Sequence, residues 1–195
     1  MIADQIKKDT HTHHQALESI MVRQLKSMKS VADYTDILEI FYSYFGGLEQ
    51  QIKAYLNKDL AIDQRRKAGD LAADIAHFGA ITPDFATGKD LPQIENHLQA
   101  IGALYVIEGS TLGGIHISKM ITKQLELNDT KGLTFFNGYG DDTMNMWSQF
   151  KDYLNEQPSN EAEQAEIIAA ANETFMKFKL WMEHYPKLKL TLQNE

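Results

Sequence analysis

Residues 101–117 read Ile-Gly-Ala-Leu-Tyr-Val-Ile-Glu-Gly-Ser-Thr-Leu-Gly-Gly-Ile-His-Ile, and this stretch decides how the chain folds. Leu104, Tyr105, Ile107, Leu112 and Ile115 lie on or near one face of a buried helix. Yet Gly102, Gly109, Gly113 and Gly114 sit inside the same run, and each interior glycine costs a helix roughly 1 kcal/mol relative to alanine. Something must offset that cost. Either the helix crosses another element so closely that a Cβ would collide, or a flat ligand lies against bare main chain. The stretch alone leaves both readings open.

Outward from this helix the periodicity predicts more of the same. The glycine-bearing helix itself runs from Gln93 to about Leu125. Ile2 to roughly Met28 reads as one helical region, with Ile6, Leu17, Ile20/Met21 and Leu25 forming an apolar stripe. Ser30 is placed to cap the next helix, and Asp33 supplies a first-turn acid. That helix carries Tyr34, Ile37, Leu38, Phe41, Tyr42, Phe45 and Leu48, and Gly46-Gly47 interrupts it without ending it. Residues 57–62 read as a loop. A short helix follows and ends at Gly79, a favourable position for the residue after a C-cap; the basic cluster Arg65-Arg66-Lys67 before it reads as a solvated face. The segment from Asn128 to Asp142 is mostly loop, anchored by Phe135-Phe136. Thr143 to Asn155 is a helix with Met146, Trp147, Phe150 and Leu154 inside. After the Pro158-Ser159-Asn160 break, a last helix buries Ile167, Ile168, Ala171, Phe175, Phe178 and Trp181, and residues 184–195 read as a loosely held tail. No stretch alternates as a strand would. The expected fold is all-α, one multi-helical domain over residues 1–195, with seven or eight helices and no internal repeat.

Composition removes several classes of function. A chain of 195 residues, 43% apolar, with four prolines and no flexible linker, suits one packed domain. A formal charge of −8 lacks the electrostatic footprint of a nucleic-acid binder and does not suit an anionic membrane surface. There is no cysteine, which removes disulfides, thiolate metal sites, iron–sulfur clusters and cysteine nucleophiles. No signal-peptide core and no stretch near the ~20 apolar residues of a membrane span is expected, so the simplest expectation is a soluble cytoplasmic protein.

The segment Lys7-Lys-Asp-Thr-His-Thr-His-His-Gln-Ala-Leu-Glu18 crowds three histidines into four positions. His11 and His13 point to different sides of a helix and neither has a histidine four residues away, so they give no multi-histidine metal site. His14 keeps the apolar phase, and Glu18 follows it by one turn. A carboxylate there can accept the Nδ1 proton and leave Nε2 free as a ligand or base. A di-iron bundle would need paired Glu-x-x-His motifs, which the chain lacks. A single imidazole facing a glycine-lined helix suits a haem sandwich, with one axial ligand and a second wall that approaches the flat ring closely.

Several motifs then match a known family in order. They are Thr10-x-x-x-His14-x-x-Leu17-Glu18, Phe41-Tyr42-x-Tyr44 through Leu48-Glu49, the Arg-Lys-x-x-x-Leu pattern beginning at Arg66, Tyr105-Val-Ile-Glu-Gly109-Ser110-Thr-Leu-Gly113-Gly114, and Gly138-Tyr-Gly140 before Trp147. Over roughly Ile6 to Trp181 the chain resembles a bacterial haem oxygenase of the biliverdin-producing, bacteriophytochrome-associated type. The resemblance implies that His14 is the proximal iron ligand, with His13 the alternative one register away, and that Glu18 is its hydrogen-bond acceptor. It places Lys7 at a haem propionate and Tyr105 in the haem-binding set. Gly109, Ser110, Gly113 and Gly114 become the catalytic stretch of a distal helix kinked over the porphyrin. The implied reaction uses haem as substrate and cofactor, with dioxygen and an external electron donor such as ferredoxin or a flavodoxin reductase system. Its products are biliverdin, carbon monoxide and ferrous iron. Two positions depart from the family pattern. Ser110 stands where many members carry Asp, and near Trp147 the usual propionate cation is replaced by Ser148 and Asp152, with Lys151 the nearest substitute.

Overall fold

The computed structural model describes residues 1–56 and 64–192; the loop expected over 57–62 lies outside the described residues. Among those residues there are eight α-helices and no strand: α1 (Ile2–Asp9), α2 (His11–Ser27), α3 (Val31–Lys53), α4 (Ala68–His77), α5 (His97–Leu125), α6 (Thr134–Asn137), α7 (Thr143–Glu156) and α8 (Glu161–Leu192).

The glycine-bearing segment is the hub. α5 runs unbroken for 29 residues and packs on α8, α3, α6 and α7. Asn96 starts it, accepting a 3.0 Å hydrogen bond from the Gln99 amide. By length and composition α5 could cross a membrane, with mean hydropathy 1.2 over its most apolar 18 residues, contrary to the expectation that no stretch comes near that length. Sixty-one per cent of that window is buried inside the protein, so its apolar character is that of a core helix. At Gly102 a Cβ would stand 2.3 Å from the Ile167 carbonyl oxygen of α8. The missing side chain is what lets the two longest helices cross so closely.

Local signals set most of the other ends. Ser30 and Asp33 form a reciprocal capping box on α3, with the Asp33 amide donating to Ser30 Oγ at 3.2 Å and the Ser30 amide to Asp33 Oδ2 at 2.9 Å. α3 continues through Gly46-Gly47, where the chain at Phe85 and Ala86 lies against the helix; a Cβ on Gly47 would meet the Ala86 carbonyl at 2.3 Å. Gly79 follows α4 with φ +76°, as the C-terminal signal predicts.

Two expectations change. The region from Ile2 to Met28 is two helices that meet at Thr10, which is buried and donates its hydroxyl to the Ile6 carbonyl at 2.7 Å. At the other end, the segment from His184 continues α8 to Leu192. Tyr185 is buried, and Lys189 Nζ pairs with Asp36 at 2.6 Å and Glu39 at 2.7 Å. Pro186 lies within this helix and has no N–H to give to Met182 four residues back. Gln24 of α2 donates to that carbonyl instead, at 3.2 Å, and so helps hold α2 on α8.

Candidate haem site

A cavity of about 410 Å³ opens between α2 and α5, within the size range of ligand sites. α2 leans on α8, α1 and α3, and His14, Leu17, Glu18 and Met21 form its wall of the cavity. Across from these, α5 contributes Tyr105, Gly109, Ser110 and Gly113. Phe45, Phe175 and Phe178 supply apolar lining, and Trp147 of α7 and Arg66 complete it.

The three histidines of the first segment have different surroundings. His14 lines the cavity with its ring edge-on to Phe175, centroids 5.5 Å apart. No hydrogen bond from the described residues engages its ring nitrogens. His13 faces away, its Nδ1 2.7 Å from Asn172 Oδ1 on α8, and is absent from the lining. Lys7 and His11 stand at the exposed part of the cavity, where α1 meets α2. Glu18 shares the wall, yet no hydrogen bond joins it to His14 in this structure. Both side chains are exposed, and a solvated i, i+4 pair gains too little to hold one geometry.

The glycines of α5 differ in what surrounds them. At Gly113 a Cβ would meet nothing within 4 Å, so bare main chain faces open cavity. At Gly109 it would meet only the Trp147 ring, at 3.7 Å. Gly114 departs from the expected set. It is buried and outside the lining, and a Cβ there would stand 2.2 Å from the Phe136 carbonyl oxygen. Its role is to let α6 lie against α5.

Tyr105 is buried beside Trp147, ring centroids 5.7 Å apart, and burial raises its phenol above the ordinary value. Ser110 donates its hydroxyl proton to the Ile107 carbonyl at 2.7 Å and accepts from Arg66 Nη2.

Arg65 and Arg66 do not form a solvated face. They are 5% and 7% exposed, because the chain before α4 inserts them behind the α5 wall. Arg65 Nη1 donates to Glu108 Oε2 at 2.6 Å, and Tyr139 donates its hydroxyl to Glu108 Oε1 at 3.0 Å. The Tyr139 oxygen accepts the Arg66 amide at 2.9 Å. Burial first, then the Glu108 charge, pushes the Tyr139 phenol up to about 12. Arg66 reaches the cavity itself, with Nη2 2.7 Å from the Ile107 carbonyl and its guanidinium carbon 4.0 Å from the Phe135 ring centroid. The available sequence signal was the motif starting at Arg66 together with Gly138-Tyr139-Gly140, which the fold brings to one place.

These features fit a haem. The cavity offers an imidazole unengaged by the described residues, a wall of naked helix, aromatic lining, a cation at the exposed end, and a buried Arg66 Nε with no hydrogen-bond partner among the described residues. The architecture is that of an all-α protein with a deep cavity between two of its helices. The chain belongs to the heme oxygenase family, whose sequence profile matches residues 1–184. The heme oxygenase from Neisseria meningitidis, solved with bound NO and CO, superposes with a TM-score of 0.76 at 22% identity, over 94% of this chain and 91% of that one. The heme oxygenase from Leptospira interrogans gives 0.75 at 20% identity, over 93% and 98%. Among curated protein sequences none matches this chain.

Proposed function

We propose that this protein opens haem oxidatively to biliverdin, with release of carbon monoxide and ferrous iron, using dioxygen and an external electron donor such as ferredoxin or a flavodoxin reductase system. The observation that carries the reading is the joint placement, in one cavity, of His14 with both ring nitrogens unengaged and of Gly113 with open space where a side chain would stand. Bound haem supplies the iron that activates dioxygen and the ring that is attacked. The chain's own residues bind and orient it. His14 would hold the haem iron, and a neutral imidazole is a weaker electron donor than a thiolate, which would suit oxidation of the ring. Glu18, one turn on along the same wall, is the carboxylate available to the other imidazole nitrogen. Lys7 neutralises a propionate at the exposed end. Gly109 and Gly113 let α5 approach the ring, while Leu17, Phe175 and Phe178 exclude water from its apolar face. Ser110 orients a water or polar group beside the distal surface without holding a charge.

That last point favours a second reading, haem binding or storage without turnover. Hemin titration separates them. A Soret band that is lost in His14→Ala and kept in His13→Ala is expected. Biliverdin absorbance rising under air with ascorbate, or with ferredoxin and its reductase, supports turnover, and a stable haem spectrum supports storage. A Soret band unaffected by His14→Ala would refute the assigned ligand.

A further inference from the structure

A second cavity, of about 420 Å³, lies where the end of α2, the start of α3 and the end of α8 meet. It shares no lining residue with the haem cavity. Met28, Ile37 and Ile40, all buried, give it an apolar floor, but its polar groups are out of balance. Gln24 Nε2 donates to the Met182 carbonyl at 3.2 Å, which Pro186 leaves without its helical donor. Turning that amide over would set two oxygens against each other, so its orientation is fixed. Gln24 Oε1 is buried and accepts no hydrogen bond from the described residues, a rare state for a polar atom in a folded protein. The carboxylates are half used as well. Asp33 takes the Lys29 and Ser30 amides on Oδ2, at 2.8 and 2.9 Å, and Asp36 takes Lys189 on Oδ1 at 2.6 Å. The donors, by contrast, are committed. Ser27 gives its proton to the Gln24 carbonyl at 2.8 Å and Tyr185 to Glu39 Oε2 at 3.5 Å. Lys189 Nζ spends two of its three N–H groups on Asp36 and Glu39. With Lys29 also acting on Asp33, the carboxylates of Asp33, Asp36 and Glu39 still outnumber the ammonium groups.

We infer that this cavity binds a small organic ammonium, a primary amine whose N–H groups are taken by Gln24 Oε1 and the spare carboxylate oxygens of Asp33 and Asp36, with a short alkyl body on the apolar floor. An ammonium brings three donors and one positive charge, the two things the cavity lacks. An anion brings neither. A metal ion does not fit, since no group of three or more carboxylate or histidine side chains among the described residues is placed to hold one. The inference is independent of the haem reading, which uses other residues.

The experiment is calorimetric titration of n-butylamine, charged at neutral pH, into the full chain. Wild type is compared with Gln24→Leu, Asp36→Asn, Lys189→Gln and a remote control, Glu161→Gln, exposed at the other end of α8. 1-Butanol, which lacks the charge, and butyltrimethylammonium, which keeps the charge but has no N–H, are titrated alongside. Saturable one-to-one binding of the amine to wild type is expected, with neither analogue matching it. Gln24→Leu loses one hydrogen bond and should weaken the amine about twofold to tenfold. Asp36→Asn loses one solvent-exposed charge and should weaken it about twofold to fivefold. Lys189→Gln removes the competing ammonium and should tighten it by a similar factor, while Glu161→Gln changes nothing. Should Gln24→Leu fail to fold, the opposite shifts of Asp36→Asn and Lys189→Gln carry the test. No saturable binding to wild type overturns the inference. Binding seen only in Lys189→Gln overturns it too, by making Lys189 the cavity's own occupant. Equal affinity for butyltrimethylammonium, or an equal loss in Glu161→Gln, reduces the effect to general charge and likewise overturns it.

Discussion

Gly113 and Gly114 are neighbours in sequence, and substituting each should move stability in opposite directions. Gly113 lies exposed within α5 and its missing side chain points into open space. Replacing it with leucine meets no steric cost in the ligand-free protein and gains about 0.8 kcal/mol of helix propensity. For a chain of this size, that is a rise of roughly 2–3 °C in melting temperature. The same leucine fills the space over the ring, and overpacking of about 1–3 kcal/mol lowers hemin affinity by roughly fivefold to a hundredfold or more. Gly114→Ala does the reverse. Its Cβ would stand 2.2 Å from a main-chain oxygen of Phe136, which cannot rotate away as a side chain could. An overpacking cost of about 1–3 kcal/mol exceeds the propensity gain, so the ligand-free protein should melt several degrees lower while hemin affinity changes little. The assays are thermal unfolding without ligand, and Soret titration of each folded variant. A Gly113→Leu protein that binds hemin as wild type does, or that melts below it, would refute the assignment of that glycine to the ring.

Further outcomes follow from the buried polar groups. Glu108→Ala removes the carboxylate that Arg65 and Tyr139 share; breaking a buried pair from one side costs about 3 kcal/mol, or roughly 6–12 °C of melting temperature, whereas Tyr139→Phe should cost only about 1 kcal/mol. Thermal unfolding of the two variants checks the order. Glu49 concerns pH. Burial raises its carboxyl above the usual 4.5, partly opposed by the Ala68 amide, which donates to it at 2.7 Å. The folded pKa then exceeds the unfolded one, so the contribution of Glu49 is fully present below 4.5 and is lost as pH rises through the folded value. The stability of wild type relative to Glu49→Gln should accordingly fall as pH rises above about 4.5, and a difference that rises instead would contradict the sign.

What was legible in the sequence was local or periodic. The Ser30–Asp33 cap, the Gly79 terminus and the passage of α3 through Gly46-Gly47 depend on a few adjacent residues. The order of helices depends on apolar spacing. The Thr10 break was illegible because the apolar stripe runs on through it, and threonines with the same back-bond, Thr35 and Thr174, sit inside unbroken helices. The burial of Arg65 and Arg66 was hidden for a different reason. A run of three basic residues reads as solvated unless its acid is known, and that acid, Glu108, lies 43 residues from Arg65 inside a helix read for its glycines. The position that seemed to weaken the site, serine where an acid is usual, gains its meaning only from an arginine in another part of the chain.

The glycines could have been read more sharply from geometry alone. Successive residues on an α-helix are about 100° apart, so Gly113 and Gly114 cannot both present bare backbone to one flat ligand. Gly109 and Gly113 are four apart and share a face, and these are the two that line the cavity. Gly102 and Gly114 are twelve apart, which turns them about 120° from each other, and each meets a different carbonyl, Ile167 and Phe136. Close crossings and open cavity wall are therefore both present on α5, separated by helical phase. A substitution that ignores that phase will confuse a ligand wall with a helix crossing.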